Sequence, residues 1–137
     1  MNPIEGIPRG IRLLMVQDSM DGAELILVEL RNAGFEPGWL IACTAGELRA
    51  ALADGPWDVI VSDVGESGFT AVQALQIVRE KLPLVPFIVF PACGADLLVA
   101  QAMKAGANRF VVKDRLAELP DAIARELLNV KDSGRTP

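Results

Sequence analysis

Four apolar runs in this chain give way to polar residues that could share one site. "IRLLMV" is followed by Gln17, Asp18 and Ser19, "VIVS" by Asp63, "PFIVF" by Pro91, Ala92 and Cys93, and "RFVV" by Lys113 and Asp114. If these runs are neighbouring strands, Asp18, Asp63 and Lys113 meet at one edge of a sheet. That group suits a phosphoryl group and a divalent cation. Asp18 and Asp63 offer hard oxygen ligands of the kind magnesium takes together with waters. Asp63 is also a carboxylate nucleophile able to form an acyl phosphate. Lys113 supplies a positive charge for a phosphoryl oxygen. A lone aspartate at a strand end more simply caps the loop that follows. The matching residues at two other strand ends are what favour a site.

The elements that must position these residues follow from periodicity and punctuation. "IRLLMV" (11–16) reads as a buried strand, and "DGAELILVELRNAG" then sets Leu25, Val28 and Leu30 at helical spacing before Gly34 stops the helix. Ala23, Leu27 and Leu30 read as core rather than as a docking stripe. "GWLIAC" is a second strand, followed by "TAGELRAALADG", where Thr44 and Glu47 have capping-box spacing and Gly55 marks the stop. "DVIVSD", "PFIVFP" and "RFVVKD" are the remaining strands, with helices "TAVQALQIVREKL", "ADLLVAQAMKAG" and "ELPDAIARELLNV" behind them. The chain divides into an N-terminal extension (1–10), one domain (11–130) and a polar, flexible tail (131–137). Strand-helix units built on short apolar runs mean an α/β fold: a doubly wound parallel sheet with helices on both faces. In such sheets ligands bind outside the carboxyl ends of the strands.

Composition narrows the function classes. With 137 residues, 51% of them hydrophobic and 23% charged, the chain fits one globular domain. A net charge of −5 argues against nucleic acid as a partner, since phosphate backbones are bound by clustered Lys and Arg. The longest apolar stretch, "LPLVPFIVFPACGA", is broken by prolines and does not read as a membrane span. "MNPIEGIPRG" lacks the features of a signal peptide, so a cytoplasmic chain is expected. The absence of histidine removes Ser-His and Cys-His nucleophile pairs, histidine metal sites and a phosphohistidine carrier role. Cys43 and Cys93 read as buried small hydrophobes, and Trp39 and Trp57 as packing residues beside strands.

In "IRLLMVQDSMDGAELILVELRNAGFEP", "WDVIVSDVGESGFTAVQAL", "PFIVF" and "AMKAGANRFVVKD" the chain resembles the receiver domain of bacterial two-component response regulators, CheY-like, of the type found in or near PAS-containing sensor kinases. The resemblance covers about residues 11–130 and implies five parallel strands in the order 2-1-3-4-5. It also implies that Asp63 is the phosphoacceptor, that Asp18, Asp63 and the carbonyl of Gly65 hold Mg2+, and that Lys113 contacts the phosphoryl group. The partner it implies is a histidine kinase, in the same chain or another, with a homodimer open. The module would not be an enzyme. Its partner surface would lie near Met103, Lys104 and Phe110.

The departures bear on mechanism. Where receivers usually carry two acidic residues this chain has Gln17 then Asp18, so magnesium is expected to bind weakly. Where the family places a hydroxyl that triggers the switch stands Pro91, with neither hydroxyl nor N–H. Phe110 holds the aromatic switch position without a hydrogen-bonding group, and Ser67 stands where a proline is common. The resemblance therefore implies a phosphorelay receiver, with a degenerate receiver acting as a phosphorylation-independent interaction module as the alternative. Enzymes on a similar sheet fit less well. A haloacid-dehalogenase-like phosphatase wants a second aspartate where Gly65 stands, and a flavodoxin-like phosphate loop would not be built from "QDSMDG", whose carboxylates repel phosphate.

Overall fold

The computed structural model describes residues 9–17, 20–63, 69–92 and 94–135. Its elements run β1 (Gly10–Val16), α1 (Met20–Asn32), β2 (Glu36–Ala42), α2 (Ala45–Ala53), β3 (Val59–Ser62), α3 (Ala71–Lys81), β4 (Phe87–Val89), α4 (Asp96–Lys104), β5 (Arg109–Phe110), a 3₁₀ turn (Lys113–Glu118) and α5 (Leu119–Arg135). The five strands are parallel in the order β2-β1-β3-β4-β5. This is the expected doubly wound sheet.

Alternation along the strands builds two cores. Leu13, Met15, Val59, Val61, Ile88 and Val111 pack on one face with Ala23, Ile26, Leu27 and Leu30 of α1 and Leu119 and Ile123 of α5. Leu14, Val16, Ile60, Phe87 and Val89 pack on the other, with α2, α3 and Ala102 of α4. β3 is the central strand and is buried along its whole length, which is why it opens on the β-branched run Val59, Ile60 and Val61.

Local chemistry ends the helices where the sequence predicts. At Gly34, whose φ is 104°, the N–H of Phe35 donates to Leu30 O and that of Gly34 to Arg31 O, both at 3.0 Å. This is a complete Schellman motif, with Phe35 and Leu30 packed in the same core. Gly106, at φ 115°, closes α4 in the same way through Ala107 and Met103. Thr44 Oγ1 accepts from the Glu47 N–H, but Glu47 Oε1 accepts from the N–H of Cys43, one residue before the position a capping box uses. α3 has the full box, Thr70 with Gln73.

Several expectations are corrected. Leu25 and Val28 do not face the core: they are 61% and 52% exposed, because Ala23, Ile26, Leu27 and Leu30 form the buried stripe on the opposite side of α1. Trp39 lies half out of the sheet because β2 is an edge strand. Cys43 is exposed just beyond that edge strand, at a groove between α2 and α3, rather than buried, and Cys93 lies outside the described residues. Trp57 does pack, with Nε1 donating to Ala51 O at 2.8 Å and the Arg12 guanidinium 4.6 Å from its ring. The last helix continues to Arg135, into the segment read as a tail. Pro37 has a clear role: Glu36 directs its N–H to Arg9 O on the β1 side, so residue 37 faces outward, where a missing N–H blunts the open edge.

Candidate functional site

The register aligns the strand ends that carry the polar residues. Val16 pairs with Ser62, Ser62 with Val89, and Val89 with Phe110. Hydrogen bonding continues past this row: Asp63 N–H donates to Val16 O, Phe90 N–H to Ser62 O, Val111 N–H to Val89 O and Lys113 N–H to Pro91 O, all within 2.8–2.9 Å. Gln17 and Asp63 are therefore neighbours on adjacent strands, and by parity both belong to the face covered by α1 and α5. Lys113, two residues after buried Val111, arrives on that same face.

Lys113 Nζ lies 2.9 Å from Asp63 Oδ2, joining residues that the sequence separates by fifty positions. Both side chains are partly exposed, 39% and 29%, so the pair is open to a ligand from solvent. The backbone beneath Asp63 is held twice, by its N–H to Val16 O and by the Ser62 hydroxyl, which donates to Asp63 O at 2.7 Å. The role of Ser62 escaped the sequence reading. Its signal was a lone hydroxyl in an otherwise apolar run, and it is fully buried.

The other expected site residues divide. Asp18, Gly65 and Ser67, named as metal ligands or loop determinants, lie outside the described residues. Gln17 is buried at 6% exposure, and its Nε2 meets no acceptor among the described residues. Pro91 is buried at the end of β4, and Phe110 is turned outward at 47% exposure. Beside Phe110, Arg109 pairs with buried Glu126 of α5 through Nε at 3.1 Å and through its terminal nitrogen at 3.0 Å, fixing β5 to α5. No spacing rule points to that pair. Met103 is half-buried and Lys104 exposed on α4.

A hard divalent cation takes several oxygen donors, carboxylates foremost. Among the described residues no group of three or more His, Cys, Asp or Glu comes together. Among the described residues Asp63 supplies a carboxylate and Gln17 a neutral amide, a donor set of low charge for a divalent ion. Among the described residues no helix is long and apolar enough to cross a membrane.

No family model matches the chain. Among curated proteins it is 29% identical to the response regulator FleR of Pseudomonas aeruginosa over 118 residues, 85% of this chain and 24% of FleR. The chain spans about a quarter of the length of the curated relatives it matches. Among solved structures it resembles the receiver domain of the sensor histidine kinase PA1611 of Pseudomonas aeruginosa, with a TM-score of 0.73 and 21% identity, covering 86% of this chain and 98% of that one. That structure is described as having a magnesium ion coordinated in its active-site cleft. The receiver domain of a histidine kinase from Syntrophus aciditrophicus matches with a TM-score of 0.74 at 23% identity, over 93% of this chain and 95% of that one. Sheet order and solved structures agree on the fold: the chain has the five-stranded architecture of CheY-like receiver domains, and in sequence it is similar to response regulators.

Proposed function

We propose that Asp63 accepts a phosphoryl group from the phosphohistidine of a histidine kinase, in the same chain or another. The observation that carries this reading is the Lys113–Asp63 contact at 2.9 Å, at the carboxyl ends of β3 and β5. In the transfer a carboxylate oxygen of Asp63 bonds to phosphorus as the phosphorus–nitrogen bond of the donor breaks, and the imidazole leaves with the electron pair. Lys113, already beside the carboxylate, then pairs with a phosphoryl oxygen. Asp18, Asp63 and the Gly65 carbonyl would hold Mg2+, which neutralises charge on the phosphoryl oxygens when bound. The resulting output is altered partner binding in the cytoplasm, on the surface around α4 and β5, with a homodimer as one form it can take and no role for nucleic acid.

Intact-mass analysis after incubation with acetyl phosphate and magnesium tests this. One phosphoryl addition, abolished by Asp63→Asn, is the expected result. No addition at any magnesium concentration, or addition to Asp63→Asn, overturns it.

A second reading has one specific observation behind it. Pro91 stands buried at the β4 end, where it offers a carbonyl but neither hydroxyl nor N–H, so phosphorylation lacks the group that would draw β4 and β5 toward the site. On this reading the domain is an interaction module whose partner binding is the same with and without phosphate.

A further inference from the structure

The buried amide of Gln17 is unexplained by the fold alone. The residue is only 6% exposed, yet Nε2 finds no acceptor among the described residues. Buried donors are nearly always paired in native proteins, so one left over asks for a ligand that completes it. The fold also leaves space for the amide. A Cβ on Gly22, in the first turn of α1, would stand 2.8 Å from Gln17 Oε1, so the glycine leaves the room that the amide occupies. That position lies at the carboxyl end of β1, next to Asp63 in the register and on its face of the sheet.

We propose that Gln17 Nε2 donates a hydrogen bond to a phosphoryl oxygen carried by Asp63, supplying from β1 the neutral donor that Pro91 cannot supply from β4. The proposal rests on Asp63 as the phosphoacceptor. An amide in place of a carboxylate exchanges cation affinity for a donor, and the acceptor that a donor at this place needs is an anionic oxygen arriving on its neighbour. Phosphorylation satisfies the orphaned group, so the adduct and the burial of Gln17 stabilise one another.

Beryllofluoride at saturating magnesium is the probe, with binding followed by 19F NMR and stability by thermal melting. Gln17→Leu keeps the volume and removes the donor: it should bind beryllofluoride about tenfold more weakly, equivalent to about 1.4 kcal/mol. One bound-fluorine resonance should shift, and the ligand-free variant should melt at a higher temperature than the parent. Gly22→Ala, which crowds the amide while favouring the helix, should weaken the adduct in the same direction, and serves if Gln17→Leu does not fold. Unchanged beryllofluoride affinity in Gln17→Leu overturns the proposal while leaving Asp63 as the acceptor. So does a loss of magnesium affinity with no change in the fluorine spectrum, which would show the amide presenting its oxygen to the cation. No adduct with the parent protein overturns both readings together.

Discussion

The main-chain N–H of Lys113 donates to the carbonyl of Pro91 at 2.8 Å while its side chain reaches Asp63 Oδ2 at 2.9 Å. The residue that lacks a switching hydroxyl thus sets the backbone position of the lysine that would read the phosphoryl group. β3, β4 and β5 are mechanically joined at the site even though the hydroxyl relay is missing, and the question for signalling is how much of a phosphoryl-induced pull on Lys113 reaches Phe110.

Replacing Lys113 with methionine separates charge from fold. The ion pair is half-exposed and contributes at most about 1 kcal/mol, so Lys113→Met should melt within about 5 °C of the parent. A charge-assisted bond from Lys113 to a phosphoryl oxygen would be of order 1.5–3 kcal/mol, so beryllofluoride affinity should fall roughly tenfold or more. Equal affinities by titration calorimetry would place the anion away from Lys113.

Pro91→Ser restores a donor at the end of β4 while keeping the carbonyl that Lys113 N–H uses. A ligand shifts a conformational equilibrium only by its differential affinity for the two states. The parent, without that hydroxyl, should show little change in hydrogen exchange over residues 103–113 on adding beryllofluoride, and Pro91→Ser a clear one. Phe110, outward at 47% exposure, should lose exposure only in the variant. A full response in the parent would mean that Lys113 and Gln17 suffice for switching.

Gln17→Glu should raise magnesium affinity and Asp18→Ala lower it. At an effective dielectric of about 20, a unit charge ~5 Å away contributes on the order of 3 kcal/mol before screening and desolvation reduce it. Because position 17 is buried, the glutamate should lower the melting temperature without magnesium and recover it as the ion binds. Trp57 stands before β3, at the opposite end of the strand from Asp63, so the readout is melting temperature rather than tryptophan fluorescence. Identical magnesium dependence in all three proteins would place the ion elsewhere.

Asn108 tests stability remote from the site. Its Oδ1 accepts from the Phe87 N–H and from Arg79, both at 2.8 Å, and Arg79 also donates to Val85 O at 2.6 Å. This arginine, its pKa lowered by burial, ties the end of α3 to the loops entering β4 and β5. Asn108→Ala leaves the Phe87 N–H unsatisfied and should cost about 1–2 kcal/mol in denaturant unfolding, with phosphorylation at Asp63 unchanged. A neutral result would mean water replaces the amide there.

The strands, the helix stops and the acidic strand end were legible in the sequence because they are local. A buried strand in a parallel sheet is mostly apolar, so Val59, Ile60 and Val61 announce β3 and the carboxylate that ends the run announces Asp63. Gly34 and Gly106 mark stops because each backbone adopts a positive φ that glycine takes without a Cβ penalty. The strand order came from the family resemblance, not from any single segment, since crossovers leave no local trace. What the tertiary structure alone decided concerns sides and partners. α1 carries apolar residues around much of its circumference, so only packing against β1 and α5 selects Ile26 and Leu27 over Leu25 and Val28. Gln17 reads as a lost charge in the sequence and becomes a buried donor with no acceptor among the described residues only when α1 closes over the end of β1. The same holds for Lys113 and Asp63: their types suggest a pair, but a 2.9 Å contact across fifty residues exists only because β3, β4 and β5 lie side by side in register, and hydrogen-bond distance is a property of that register rather than of the residues.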